Sequence, residues 1–222
     1  MDALALIEVQ LALEGIAVVD GETLVPLAGA EADEIPRLLL VCHAQGYTRY
    51  YRADLPRTIR SLLDMRTAEQ LWHDHAEARR LLALGGACAE PWVGTSYVFP
   101  SPLSAADSRA IRLGPAHQPL IERWNPQLEV SGRVVFAVIV DEQIVATCES
   151  SREDARSGEA WVQTSPAFRG RGFARQVTAA WARALQHQGK LPFYSHRADN
   201  LASQAVARSL GLRRFRSDVA FS

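Results

Sequence analysis

The sequence predicts an α/β protein whose C-terminal part interleaves strands with two helices, preceded by a smaller α+β region over residues 1–90. Three observations carry this. Residues 134–140 are nearly continuously apolar and β-branched, as in a strand covered on both faces. Phe173, Val177, Ala180, Trp181 and Ala184 recur at helical spacing, just after a short apolar run (Ala160, Trp161, Val162) and a glycine-rich turn. From residue 134 onward the order reads strand, strand, strand, helix, strand, helix, strand, which is an α/β arrangement.

Taken in order, residues 3–14 carry Leu4, Ile7 and Leu11 at mixed helical spacing and run into Gly15, a helix end. Residues 16–19 and 23–27 flank Asp20-Gly21, a short-range hairpin signal. Residues 38–42 and 48–52 read as two further strands around Gly46. Asp54-Leu55-Pro56 then opens a helix, because proline is tolerated in a first turn. Thr67 and Gln70 form a capping box ahead of Leu71, Ala78 and Leu82, in a helical segment that Gly85-Gly86 ends.

Two clusters in this half carry more than one reading. His73 and His75 are two apart, so on one helix they point about 200° from each other and cannot share a metal. A solvated helix face explains them. Tyr47, Tyr50 and Tyr51 with Arg49 and Arg52 are residue types that line ligand pockets, and they equally suit alternation on a half-buried strand.

Residues 85–94 hold Gly85-Gly86, Pro91 and Gly94 and read as a linker, which places a domain boundary near Pro91: residues 1–90 on one side, 91–222 on the other. Residues 96–99 read as a short strand broken by Pro100 and Pro102. Residues 104–124 show weak helical spacing interrupted by Pro115 and Pro119. After the strand at 134–140, Asp141-Glu142-Gln143 turns the chain and residues 144–149 return. The polar stretch 151–158 reads as a loop. Residues 191–195 form a strand, 200–210 a helix stopped by Gly211, and 213–221 a closing strand.

The stretch most informative about chemistry is Val162-Gln163-Thr164-Ser165-Pro166-Ala167-Phe168-Arg169-Gly170-Arg171-Gly172-Phe173-Ala174. Pro166 stops the strand. Gly170 and Gly172 lack a β-carbon, so the backbone there can take positive φ and lie close against a ligand with its N–H groups turned outward. The free N–H groups opening the next helix add the positive end of its dipole, making a seat for a diphosphate. Arg169, Arg171 and Arg175 add charge suited to phosphate oxygens. A glycine turn between strand and helix also occurs for connection alone. A P-loop is disfavoured, since no lysine followed by Ser or Thr comes after the glycines.

Arg169-Gly170-Arg171-Gly172-Phe173-Ala174 resembles the Q/R-x-x-G-x-G/A signature of the GNAT acyltransferase superfamily. Asn200-Leu201-Ala202-Ser203 through Ser209-Leu210-Gly211-Leu212 looks like that superfamily's second motif helix. The likeness runs from about residue 134 to 212, and the Asn-x-x-Ser helix without a tyrosine is most similar to the glycine N-acyltransferase-like branch. The resemblance implies a GNAT fold, a mixed central β-sheet flanked by helices, and an N-acetyltransferase that moves an acetyl group from acetyl-CoA to a primary amine of a small molecule or peptide.

By that resemblance, the cofactor-binding residues are Val162 and Thr164 on the strand, Arg169, Gly170, Arg171, Gly172, Phe173, Ala174 and Arg175 in the loop and helix start, and Asn200 and Ser203 on the second helix. Asn200 is also a natural helix cap. Glu149 and Glu159, at the ends of adjacent strands, are the carboxylates suited to take the amine's proton, and each can equally be a solvated strand-end residue. The family's usual tyrosine acid falls at Ala207. Ser203, Tyr194 and His196 are the substitutes, Ser203 first. A non-catalytic acyl-CoA-binding module is the alternative, supported by that alanine. Residues 1–90 are expected to cover the acceptor or to form a homodimer interface.

Composition agrees with a globular protein: 222 residues, 48% hydrophobic, formal charge −1. Nothing in that balance points to nucleic acid. No apolar run approaches membrane-spanning length, no leader pattern opens the sequence, and three scattered cysteines form no C-x-x-C, so a cytoplasmic protein without membrane attachment is expected.

Overall fold

The computed structural model describes residues 1–101, 103 and 109–222. It divides into two compact units, one made of Met1–Ser96, His196–Asn200 and Arg214–Ser222, the other of Tyr97–Ser195 and Leu201–Arg213. In chain order the elements are α1 (Ala3–Leu13), β1 (Ile16–Val19), β2 (Thr23–Pro26), β3 (Leu38–His43), β4 (Gly46–Arg52), α2 (Arg57–Asp64), α3 (Ala68–His73), α4 (His75–Ala83), β5 (Trp92–Val98), β6 (Ile111–Arg112), α5 (Gln118–Trp124), β7 (Phe136–Val140), β8 (Gln143–Glu153), β9 (Ser157–Thr164), α6 (Phe173–His187), β10 (Leu191–Arg197), α7 (Leu201–Ser209) and β11 (Arg213–Phe221). The expected order from residue 134 to the end is the one found.

In the first unit, Asp2 caps α1 by accepting the Ala5 N–H at 2.8 Å, and the helix buries Leu6, Ile7 and Leu11. The β1–β2 hairpin turns on Asp20 and Gly21, both at positive φ. β3 pairs antiparallel with β4 on one side and with the last strand, β11, on the other. Leu38, Leu40, Tyr51, Leu63, Leu71, Leu82 and Phe221 form its core against α2 to α4.

The expected single helical segment after Thr67 is two helices. The capping box is present, Thr67 N–H to Gln70 Oε1 at 2.8 Å and Gln70 N–H to Thr67 Oγ1 at 3.1 Å. The chain leaves helical geometry at Asp74, whose carboxylate accepts the Glu77 N–H at 2.9 Å and starts α4. A side chain that satisfies the orphan donors of a new helix competes with continuation of the old one. His73 therefore ends α3, beside Tyr47, while His75 begins α4 with its ring edge on Trp72 and Phe221.

The tyrosines and arginines of β4 tie the strand to α2 and the chain around it. Tyr51 donates to Asp64 at 2.8 Å, Arg49 pairs with Asp64 at 2.9 Å, and the Arg60 guanidinium lies 4.8 Å from the Tyr51 ring centre. Arg52 bonds Asp54 and the Ile35 carbonyl. The structural reading of this cluster is the one these bonds express.

This unit also buries charge. Arg216 bonds Glu14 at 2.8 Å and stands 3.5 Å from Asp218 Oδ1. Burial pushes the Asp218 carboxyl up to about 6 against the opposing pull of Arg216, and Glu14 adds to the rise. A carboxyl raised in the fold favours the native state while protonated, so its contribution is lost as pH climbs from the ordinary aspartate range through about 6. Asp218→Asn is expected to flatten that decline and to melt higher than the parent at neutral pH; melting curves on either side of this window check it.

In the second unit the strands run in the order β10, β9, β8, β7, β6. β9 is parallel to β10 and antiparallel to β8, and β7 is antiparallel to both β8 and β6, so the sheet is mixed. The β7–β8 turn places Asp141 and Glu142 at positive φ. α6 lies on one face through Val177, Trp181 and Leu185 over Val138, Cys148 and Ala160; α5 covers the other near Ala137 and Ile144.

Two further expectations are corrected. Residues 151–158 are not one loop: β8 runs to Glu153, β9 begins at Ser157, and an Asp154 side chain holding the Arg156 and Ser157 N–H groups, each at 2.7 Å, makes the turn. The linker expected over 85–94 gives way to β5 at Trp92. Of residues 104–124, those at 104–108, like Pro102, lie outside the described residues. The remainder holds β6, a short 3-10 turn at Pro115–His117 and α5, with Pro119 in its first turn. Among the described residues no helix is long and apolar enough to cross a membrane.

Candidate functional site

The site is built where β9 loses one of its neighbours. β9 follows β8 along its length, from Glu153↔Gly158 to Ala146↔Thr164. Its pairing with β10 covers only Ser157–Glu159 against Leu191–Phe193. Among the described residues the β10-facing edge of β9 beyond Glu159 therefore has no strand partner, and main-chain groups there suit a ligand. Val162 and Thr164 lie on this stretch, on the face toward α6. The Thr164 hydroxyl is buried and, among the described residues, has no hydrogen-bond partner.

Past Thr164 the Ser165 N–H returns to the Val145 carbonyl at 2.9 Å, and a 3-10 turn over Pro166–Phe168 leads into the glycines. Gly170 has φ +75° and Gly172 φ +78°, and a β-carbon at either would meet no atom within 4 Å. The space over the turn is open, and the backbone conformation is what requires glycine there.

The first bond of α6 is Gln176 N–H to Gly172 C=O at 3.2 Å. The N–H groups of Phe173, Ala174 and Arg175 thus precede any helical acceptor, and Gly172 offers no capping side chain. Arg169 and Arg171 are exposed, the latter with its guanidinium 4.9 Å from the Phe168 ring centre. Arg175 is turned to α7, donating to the Ser209 carbonyl at 3.2 Å. Phe173 is buried in the core, which anchors the helix start under the loop.

The two candidate carboxylates share the face of the sheet away from α6, since Glu149 pairs across strands with Trp161 and Arg152 with Glu159. Their surroundings differ. Glu159 is 5% exposed, accepts the Ser195 hydroxyl and has Arg152 at 3.8 Å. Glu149 is half-buried with Arg133 at 3.5 Å; burial raises its pKa, and Arg133 opposes the rise. Arg133 is itself fixed by donating to the Ser150 carbonyl at 2.6 Å.

On the α6 side, Ser203 of α7 hydrogen-bonds the Tyr194 phenol of β10, whose pKa burial pushes up to about 12 although that bond works against the rise. Ala207 is 1% exposed and packs in the same core as Tyr194. Asn200 and His196 fall among the residues that cluster with the first unit. Sequence reasoning missed Arg133, Arg152 and Ser195 as partners of the carboxylates, and it did not foresee that Trp161 stands exposed across the strand pair from Glu149. Strand alternation already put Trp161 on the face of Glu159.

Among known proteins, a GNAT-family acetyltransferase from Colwellia psychrerythraea superposes with TM-score 0.50 at 12% identity, covering 93% of this chain and 79% of that one. A GCN5-related N-acetyltransferase from Sphaerobacter thermophilus gives 0.50 at 14%, covering 79% and 71%. A GNAT-family protein from Novosphingobium aromaticivorans gives 0.49 at 19%, over 60% of this chain, which spans 65% of that relative's length. At such identities the likeness is one of fold. No curated protein matches. The family model described as GNAT acetyltransferase matches residues 132–217, the stretch that carries the glycine loop, both motif helices and the GNAT fold.

Proposed function

We propose that the protein is an N-acetyltransferase that takes acetyl-CoA and passes its acetyl group to a primary amine of a small molecule or peptide by direct attack in a ternary complex. The observation that carries this reading is the loop at Gly170–Gly172: two left-handed glycines beneath open space, leading into helix N–H groups that have no helical acceptor. Such amides suit a diphosphate, and Arg169 and Arg171 add positive charge at its rim. The Thr164 hydroxyl and the edge of β9, neither with a partner among the described residues, suit the polar arm of a pantetheine chain. The Asn200-x-x-Ser203 helix without a tyrosine supports the glycine N-acyltransferase-like branch.

Acetyl-CoA, when bound, supplies a thioester carbonyl already activated toward amines. Glu149 is the residue suited to take the proton of the incoming ammonium, because burial moves its pKa toward neutrality while it keeps a solvent-facing edge. Glu159, bonded to Ser195 and facing Arg152, has fewer lone pairs to offer. Amides of β9 near Val162 and Thr164 would stabilise negative charge gathering on the carbonyl oxygen. Ser203 and Tyr194 form the polar pair closest in kind to the missing tyrosine acid.

Ala207 favours a second reading, a module of the same fold that binds acyl-CoA without turning it over, since an alanine packed in the core holds no proton to give. Incubating the protein with acetyl-CoA and a library of primary amines while following free thiol separates the two. Amine-dependent thiol release is expected; tight binding with no release would replace transfer by sensing.

A further inference from the structure

The face of β9 away from α6 carries a feature that neither the donor loop nor the proton chemistry uses. Trp161 is 54% exposed, on the stretch of β9 that pairs with β8, while its neighbours Ala160 and Val162 pack on the α6 side. Its cross-strand partner is Glu149, so the indole and the carboxylate project from adjacent positions on the same face. Gln163 extends that exposed surface toward the end of the strand.

We propose that Trp161 is the platform for the acceptor's apolar body, so that the preferred acceptor is a monoamine carrying an aromatic or extended aliphatic group and not a polycation. This rests on the acetyl-transfer reading, which it deepens. A ligand lying on the indole loses water from its apolar part and brings a nitrogen on a short arm to the carboxylate across the strand pair.

Charge supports the choice. The two carboxylates of this face described above are each matched by an arginine, Glu149 by Arg133 and Glu159 by Arg152, both arginines being substantially exposed. Within these two pairs a polyamine would find no surplus negative charge and would approach two guanidinium groups; a single ammonium needs only Glu149, to which it then yields its proton. Selectivity is left to apolar contact, and Trp161 is the large apolar side chain exposed beside that carboxylate.

The test titrates wild type, Trp161→Ala and Trp161→Phe with 2-phenylethylamine and with spermidine by calorimetry in the presence of CoA, and measures initial rates with acetyl-CoA. Wild type is expected to bind 2-phenylethylamine more tightly than spermidine. Trp161→Ala should weaken it roughly tenfold or more and raise KM with little change in kcat, while Trp161→Phe should recover most of the loss. CoA affinity and melting temperature should match wild type in both variants, since the side chain is exposed. Unchanged 2-phenylethylamine affinity in Trp161→Ala, a wild-type preference for spermidine, or no amine binding beside intact CoA binding would overturn the platform alone. Absence of CoA binding to wild type would overturn the acetyl-transfer reading and the platform with it. Trp161-dependent amine binding without thiol release would uphold the platform and remove transfer.

Discussion

Gly172→Val is expected to lower affinity for CoA by about a hundredfold or more, with the protein still folded. Two amide-to-phosphate hydrogen bonds at about 1.5–3 kcal/mol each account for a loss of that size. A branched side chain would project into the open space above the turn and would disfavour the left-handed backbone that turns the amides outward. The strain is about 1–2 kcal/mol, below the margin of an ordinary domain. Nothing lies within 4 Å of the added β-carbon, so no core packing is disturbed. Calorimetric titration of CoA into wild type and variant, beside melting curves, is the measurement. A folded variant that binds CoA as wild type does would remove the diphosphate seat, and with it the donor site.

The loop was legible in the sequence because everything that makes it is local. A proline ends the strand, two glycines permit positive φ, and the periodicity of Phe173, Val177 and Trp181 declares the helix within a few residues. The β1–β2 hairpin was legible for the same reason in Asp20-Gly21. Asp74 was not, since an aspartate inside a helical pattern gives no sign whether it will tolerate the helix or cap a new one. The polar end of β8 carries no apolar alternation, because the side chains of Ser151 to Glu153 meet water; in sequence they read as loop, and only the register with β9 makes them strand. The pairing of β11 with β3 joins residues 216–221 to residues 38–43, far apart in the chain, and no local pattern announces it.

The proton chemistry proposed for this site was half legible. Carboxylates near strand ends are visible in sequence, but what distinguishes them is their partners. Arg133 lies in a segment of its own, and only the fold brings it to Glu149; Ser195 reaches Glu159 from β10, which pairs with β9 over three residues. Trp161 was read as an ordinary strand residue for a related reason. Alternation gives the face, and only the packed structure says which face is left bare.

Those partners make the Glu149 prediction specific. Glu149→Gln is expected to reduce kcat by roughly a hundredfold to ten-thousandfold, the range of a lost general base, with CoA affinity unchanged. In the wild type, activity requires the ionised carboxylate and so should rise with pH through a pKa above the ordinary glutamate value, because burial raises it. Glu149→Gln should lose that limb of the profile. Arg133→Gln should move the limb to higher pH, since the guanidinium is what opposes the rise. Stability runs the other way. A carboxyl whose folded pKa is raised contributes less to the native state as pH climbs through that pKa, so Glu149→Gln should melt no lower than wild type at neutral pH. The same variant therefore loses rate without losing stability. A pH–rate profile unchanged in Glu149→Gln but altered in Glu159→Gln would transfer the role to the second carboxylate, whose bonds to Ser195 and Arg152 would then have to open during turnover.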